Sequence, residues 1–186
     1  MSSQGDLLGR IIGLLNDTGI PYMVVGSLAS SFHGEPRQTR DIDIVIDPGP
    51  DTLRQLLDRL PADELYADGA AAAEALERRT SFNVIEIATG WKVDLIVRRD
   101  RPFSREELSR RVTVRVLDTD AHVATAEDTI IAKLEWATEG QSERQLRDVA
   151  AILETQADNL DHAYLERWIR ALDLADAWDR ARDLLG

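Results

Sequence analysis

Two aspartates stand two residues apart at the start of an apolar segment, residues 41–46, which reads DIDIVI. The alternation predicts a strand, in which side chains two residues apart point to the same face. Two adjacent carboxylates, here Asp41 and Asp43, repel each other and resist burial. A divalent cation such as Mg²⁺ takes oxygen ligands and would remove that repulsion. The pair is therefore either a metal site or a strand end that faces water.

A third acid has the same setting later in the chain. Asp94 lies in the segment 92–97, KVDLIV, where it shares one strand face with Ile96. If this strand neighbours the first, three carboxylates would complete a site for one or two Mg²⁺ ions. Such sites stabilise both the attacking and the leaving oxygen in phosphoryl-type transfer. The alternative is an exposed position on a half-solvated hairpin.

A glycine and a serine, Gly26-Ser27, directly follow the buried segment 22–25 and open a helix. Glycine lets a phosphate approach the backbone closely. Ser27 offers a hydroxyl, and the start of a helix offers N–H groups and a favourable dipole. The alternative is an ordinary helix cap, because Walker and dinucleotide-binding fingerprints are absent from the sequence.

The elements that position these residues follow from the hydrophobic pattern. Strands are predicted at about 22–25, 41–46, 82–87, 91–97 and 112–117. Helices are predicted at about 6–17, 28–32, 53–60, 70–79, 104–110, 125–139, 142–155, 161–172 and 174–185. The fold class is therefore α+β, with a mixed sheet of about five strands and helices on one side. We expect an α/β core at 1–120 and a C-terminal helical region at 121–186 that packs on the core and closes the cleft.

Composition limits what the protein can be. The chain has 186 residues and a net charge of −12. It contains no cysteine, and this excludes disulfides and thiolate metal sites. No apolar run is long enough to span a membrane, and the first residues lack the features of a signal peptide, so we expect a cytoplasmic protein without membrane contact. The evenly spread acidic charge weighs mildly against a large nucleic-acid footprint, but not against a nucleotide or RNA end whose site holds Mg²⁺.

Taken together, these features resemble the nucleotidyltransferase superfamily built on the DNA polymerase β palm. The resemblance spans about residues 20–97 and rests on Gly26-Ser27, His33-Gly34, Arg37, Thr39, Asp41-Ile42-Asp43 and Asp94. It implies that the Gly-Ser turn holds the triphosphate and that the Asp-x-Asp pair binds the metals. It also implies that the third carboxylate binds metal and assists deprotonation of the acceptor hydroxyl. Arg37 and Arg40 either contact the triphosphate or pair with nearby acids.

A second resemblance concerns the C-terminal helices. One predicted helix contains Lys133-Leu134-Glu135, and the next contains Arg144 and Arg147-Asp148-Val149. This combination resembles the abortive-infection (AbiEii-type) nucleotidyltransferases, which pair a Lys-Leu helix with a downstream Arg-Asp helix. It implies that Lys133 contacts the nucleotide phosphates and that Asp148 acts in the site. The residues alone leave open a solvated position for Lys133 or an ion pair with Asp148.

The resemblance implies transfer of a nucleoside monophosphate from an NTP, such as ATP, to an acceptor hydroxyl with release of pyrophosphate. The acceptor is an RNA end, a protein or a small molecule, and a cognate antitoxin is an expected partner of a toxin-like enzyme. The candidate catalytic residues are Asp41, Asp43, Asp94, Lys133 and Asp148. The candidate phosphate-binding residues are Gly26, Ser27, Arg37, Arg40 and Lys133, and the candidate Mg²⁺ ligands are Asp41, Asp43 and Asp94. The alternative is a catalytically inactive binding or regulatory protein of the antitoxin type, which metal-dependent NTP binding would help to distinguish.

Three further expectations concern residues near this set. His33 ends a predicted helix, and a structural role is favoured over one in orienting a phosphate. Trp136, Trp168 and Trp178 fall at helical spacing among aliphatic residues, which favours core positions over a base-stacking platform. Ser104 is predicted as the N-cap of its helix, with Glu107 closing a capping box.

Overall fold

In the computed structural model, residues 3–36, 39, 41–140 and 142–185 are described. Within them, seven strands form one mixed sheet in the order β3-β4-β5-β2-β1-β7-β6. The strands are β1 (Tyr22–Val25), β2 (Ile42–Ile46), β3 (Leu65–Ala67), β4 (Ser81–Glu86), β5 (Lys92–Val97), β6 (Val112–Val116) and β7 (Thr119–Val123). The β2–β5 and β1–β7 pairs are parallel, and the other neighbours are antiparallel.

Helices connect the strands and then continue alone to the end of the chain. They are α1 (Gln4–Asp17), α2 (Gly26–His33), α3 (Pro50–Asp58), α4 (Gly69–Arg78), α5 (Pro102–Arg110), α6 (Ala126–Gly140), α7 (Glu143–Gln156), α8 (His162–Ala171) and α9 (Ala175–Arg182). The α+β class and the helix-rich C-terminal part are as predicted. The division into 1–120 and 121–186 stays a prediction; the chain passes from β7 to α6 between Val123 and Ala126.

The sheet contains two more strands than the five expected. β3 has only three residues, too few to show an alternation. β7 follows β6 through a two-residue turn, Leu117-Asp118, in which both residues have positive φ. Turns of this geometry normally carry Asn or Gly, so no residue at this turn indicates a hairpin.

The main core lies between one face of the sheet and helices α1, α3 and α4. The isoleucines of β2 and alternate residues of β5 are fully buried on this face, together with Leu53 and Leu56 of α3. The opposite residues of the same strands, Asp43 and Asp94, therefore point away from that core. Alternation thus places the acids on the face that carries the site.

The C-terminal helices form a second core. Residues of α6, α7, α8 and α9 pack together and around Phe103 of α5. On the acid-bearing face of the sheet, Leu108 of α5 packs against Met23 of β1. Among the described residues, no helix is both long and apolar enough to cross a membrane.

Helix α5 begins two residues earlier than predicted. Its N-cap is Arg101 and its first residue is Pro102. Proline suits this position, because the N–H of the first helical residue has no acceptor inside the helix and proline lacks that N–H. Ser104 therefore lies inside the helix and is not its cap. The capping-box prediction for Glu107 is wrong for the same reason.

Candidate active site

Strand pairing brings two of the three predicted carboxylates together. β2 and β5 are parallel neighbours in a register that sets Asp43 directly opposite Asp94. On its other side, β2 pairs with β1 so that Asp43 lies opposite Val25, the last residue before Gly26. One stretch of sheet thus carries both carboxylates and the start of α2.

Gly26 touches Asp43. The backbone of Gly26 has φ of +61°, and a Cβ built on it would lie 2.1 Å from Oδ2 of Asp43. Any side chain at this position would both strain the backbone and overlap the carboxylate. The N-cap of α2 is Val25, which has no polar side chain to cap the helix. The first turn of α2 therefore offers backbone N–H groups beside Asp43.

The electrostatics of Asp43 match this crowding. Burial raises the pKa of Asp43 above its ordinary value, and repulsion from Asp94 and Asp41 raises it further. Lys133 and Lys92 oppose the rise in the pKa of Asp43. The Nζ of Lys92 lies 3.2 Å from Oδ2 of Asp94, so a cation already stands beside the second carboxylate.

Asp41 lies just before β2 and is exposed, and its backbone N–H faces the hydroxyl of Thr39 at 3.3 Å. Among residues 3–36, 39, 41–140 and 142–185, no three acidic or histidine side chains lie close enough to hold a metal ion. The structure thus pairs Asp43 with Asp94 by register and leaves Asp41 at the strand's entrance. Arg37 and Arg40 lie outside the described residues.

Lys133 and Asp148 meet between α6 and α7. The Nζ of Lys133 donates to Oδ2 of Asp148 at 2.6 Å, and the two side chains are only 6% and 12% exposed. The ion pair that the sequence left open is therefore present. Lys133 also lines a cavity together with Gly26, Ser27 and Asp43, so its ammonium lies at the same cavity as one of the two paired strand acids.

The cavity has a volume of about 320 Å³ and runs from the start of α2 to α5 and α6. Its apolar walls include Val45, Val97, Phe103 and Ala132. Trp136 also lines it but is 57% exposed, so its predicted core position is wrong. Trp168 is buried, as predicted.

Polar residues of α5, of the turn before it and of α6 also line the cavity, and the sequence pattern does not mark them as functional. Arg101 donates two hydrogen bonds to Glu135, at 2.6 and 2.7 Å, and one to Ser104. Glu107 is buried beside them, and burial raises its pKa to about 8. The spacing within α5 does place Ser104 and Glu107 on one helix face. Only the packing of α6 against α5 shows that this face is inside.

His33 ties α2 to its neighbours. Its buried Nε2 lies 2.7 Å from the carbonyl oxygen of Ala124, and Gln156 donates to the carbonyl of His33 at 3.0 Å. Burial lowers the pKa of His33, against the opposing effect of its contact with Ala124. These contacts give His33 the structural role that the sequence favours.

Solved nucleotidyltransferases share this fold. The chain superposes on the antibiotic-resistance factor ANT(2'')-Ia in complex with adenylyl-2''-tobramycin, with a TM-score of 0.59, 12% identity, and 96% and 99% of the two chains covered. It superposes on the lincosamide antibiotic adenylyltransferase LnuA, lincomycin-bound, with a TM-score of 0.54, 11% identity, and coverage of 81% and 96%. The chain also superposes on an antigenic nucleotidyltransferase-like protein from Paracoccidioides brasiliensis, with a TM-score of 0.56, 16% identity, and coverage of 93% and 90% of the two chains. At these identities the similarity shows the fold.

Sequence comparison gives the family. The profile described as "Nucleotidyl transferase AbiEii toxin, Type IV TA system" matches residues 26–184. The chain therefore belongs to the AbiEii toxin family of nucleotidyltransferases, as the resemblance predicted. Among curated proteins, none matches the chain.

Proposed function

We propose that this protein transfers a nucleoside monophosphate from an NTP, with ATP among the candidate donors, to an acceptor hydroxyl in a Mg²⁺-dependent reaction that releases pyrophosphate. One observation carries the proposal. The start of α2, at Gly26, lies in contact with Asp43, and Asp43 lies opposite Asp94 in the sheet. A phosphate-binding helix start and a carboxylate pair thus share one place.

The carboxylates suit a divalent metal. Asp43 and Asp94 supply hard oxygen donors of the kind that Mg²⁺ prefers. Burial, and after it repulsion from the neighbouring acids, raises the pKa of Asp43, and a bound cation would oppose both effects. Asp43 and Asp94 would hold the ion, and Asp41 at the entrance of β2 is the third candidate. When bound, Mg²⁺ supplies charge neutralisation for the phosphate oxygens.

The triphosphate is expected at the start of α2. The backbone N–H groups there and the Ser27 hydroxyl donate to phosphate oxygens, and the helix dipole favours their charge. Lys133 lines the same cavity and brings a positive charge, with Asp148 holding its ammonium in place. Arg37 and Arg40, which precede the Asp-x-Asp pair in the sequence, are further candidate phosphate contacts.

The proposed reaction balances without a further reactant. The acceptor oxygen forms a bond to the α-phosphorus, the bond between that phosphorus and the α,β-bridging oxygen breaks, and pyrophosphate leaves. The hydroxyl proton passes to a carboxylate, for which Asp94 is the candidate. Catalysis is then mainly positioning and electrostatic stabilisation.

The acceptor would approach from the solvent side of the strand acids. Asp43 lines the cavity, but Asp41 and Asp94 do not, and Asp41 is exposed. This open side suits an acceptor of any size, so RNA ends, proteins and small molecules remain the candidates. A cognate antitoxin is the expected partner of a toxin of this family.

The test is label transfer from α-³²P-labelled NTPs with Mg²⁺, offering total RNA and cell-extract protein as acceptors. Asp43→Asn removes a proposed metal ligand, and Asp63→Asn, in an exposed loop, is the matched control. Labelled RNA or protein with wild type and Asp63→Asn, but not with Asp43→Asn, supports the proposal. Absence of both label transfer and Mg²⁺-dependent NTP binding would instead favour the inactive regulatory protein.

A further inference from the structure

We infer that the part of the cavity lined by α5 binds the nucleobase of the donor NTP and that Glu107 is the residue that contacts the base. This inference rests on the proposed function, because it assumes that the triphosphate binds at the start of α2. The inference specifies that the cavity binds the base of the nucleotide and that one side chain determines which base is preferred.

The lining of the cavity joins the proposed phosphate site to α5. It includes Gly26, Ser27 and Lys133, where the phosphates are proposed to bind, and also residues of α5. A volume of about 320 Å³ falls within the range of small-molecule sites. A nucleotide whose phosphates bind at Gly26 and Ser27 would place its nucleoside in the remaining part of this cavity, beside α5.

The partly exposed apolar residues of the cavity suit a flat aromatic ring. Val45, Ile96 and Ala132 give apolar surface, and the partly exposed indole of Trp136 also lines the cavity. Aromatic and apolar side chains of this kind stack on bases. A nucleobase would cover the part of Trp136 that now faces solvent.

Two polar side chains in these walls offer hydrogen bonds to a ligand. The Oε1 atom of Gln145, on α7, is buried and accepts no hydrogen bond from the described residues. Buried acceptors are seldom left in this state. An amino group of a base or a hydroxyl of the ribose would supply the missing donor.

The second is Glu107, which is only 8% exposed and forms no ion pair within the described part of the chain. Burial is the main cause of the raised pKa of Glu107, and the charges of Asp128 and Glu135, on α6, raise it further. A hydrogen bond from Ser104 and the charge of Arg101, from the turn before α5, oppose the rise. Arg101 is itself engaged with Glu135, and the net effect favours the neutral carboxyl.

The protonation state of Glu107 decides which bases fit. A neutral carboxyl has one O–H donor and one acceptor, so it can pair with the ring nitrogen and the amine of adenine. An ionised carboxylate only accepts, so it repels the lone pair of adenine N1. It can still accept from both N–H groups on the corresponding edge of guanine. Ionisation of Glu107 should therefore weaken the binding of adenine nucleotides relative to guanine nucleotides.

The experiment measures binding, so it needs no acceptor. The α,β-methylene analogues of ATP and GTP are titrated into the protein by calorimetry with Mg²⁺, at about pH 6.5 and about pH 9, on either side of the shifted pKa of Glu107. The variants are Glu107→Gln, which keeps a neutral donor and acceptor, and Glu106→Gln, which removes one carboxylate from the same helix outside the cavity. Phosphate ionisation is shared by both analogues and cancels in the ratio of their Kd values.

In wild type and Glu106→Gln, we expect the preference for the adenine analogue over the guanine analogue to fall about tenfold between the two pH values, as for one lost hydrogen bond. In Glu107→Gln the ratio should stay constant, apart from the ionisation of guanine itself, which this variant measures. A wild-type ratio that changes no more than that of Glu107→Gln would overturn the inference while leaving the proposed function intact. Failure of wild type to bind either analogue would overturn both.

Discussion

The α-carbon of Gly26 lies against the carboxylate of Asp43, so closely that a methyl group on Gly26 would stand 2.1 Å from Oδ2 of Asp43. The contact joins the helix start that can bind phosphate to the strand that can bind metal. It depends on the register of β1 and β2, which sets Val25 opposite Asp43. A substitution at Gly26 should therefore disturb the helix start and the strand carboxylate together.

Replacing Gly26 by alanine should displace the Asp43 carboxylate from the start of α2. Gly26→Ala adds a Cβ at a left-handed φ and also pushes on the Asp43 carboxylate, so we expect nucleotidyl transfer to fall at least about 100-fold. Gly90→Ala is the matched control, because Gly90 has φ of +71° and open space around it. Both variants should lose about 1–2 kcal/mol from backbone strain, measured by urea unfolding. Equal activity in the two variants would show that the Gly26–Asp43 contact does not matter.

Asp43 should be a destabilising residue in the absence of metal. The pKa of Asp43 in the folded protein lies above its ordinary value of 3.8. The free energy of unfolding therefore falls as the pH rises from 3.8 through the folded pKa, because Asp43 ionises first in the unfolded chain. At pH 7 without Mg²⁺, Asp43→Asn should therefore melt about 2–4 °C higher than wild type. Mg²⁺ should raise the Tm of wild type but not of Asp43→Asn. A lower Tm for Asp43→Asn would contradict the repulsion argued here.

The Lys133–Asp148 pair should combine a structural and a functional role. Lys133→Met or Asp148→Leu removes one partner of a largely buried ion pair and should lower the free energy of unfolding by about 3–5 kcal/mol. The double variant should recover much of this loss, because it leaves neither charge, and yet remain inactive. A double-mutant cycle by denaturant unfolding, run beside the transfer assay, separates the two roles. An active double variant would limit the pair to a structural role.

Glu107 should make the fold less stable as the solution becomes alkaline. Its folded pKa of about 8 lies above the ordinary 4.5, so the unfolded chain holds fewer protons between these values. The free energy of unfolding of wild type should thus fall, relative to Glu107→Gln, from about pH 4.5 to about pH 8 and then level off. Chemical unfolding of both proteins across this range measures the difference. Parallel stability curves would mean that Glu107 is ionised in the folded protein.

The local parts of the site could be predicted from the sequence. The alternation around Asp43 and Asp94 gave both strands, and Gly26-Ser27 gave the start of α2, because these patterns depend on neighbours along the chain. The pairing of Asp43 with Asp94 is different. It joins strands separated by α3, β3, α4 and β4, and only the family resemblance suggested it.

Other features depend on packing that no local pattern shows. Glu107 fitted a capping box by spacing, but α5 begins at Pro102, and the packing of α6 turns Glu107 inward. Trp136 has the spacing of a core residue, yet it lies 57% exposed at the cavity. β7 follows a turn made by Leu117 and Asp118 in left-handed conformations, which these residues rarely adopt.

The central claim is that the α-phosphorus of the NTP goes to the acceptor. Its most direct test supplies ATP labelled at either the α or the γ position, with Mg²⁺ and the acceptor fraction found in the transfer assay, and follows both acceptor and released pyrophosphate. We predict that the α label stays on the acceptor and that the γ label appears only in pyrophosphate, in equal amount. A γ label on the acceptor would show phosphoryl transfer instead and would contradict the account.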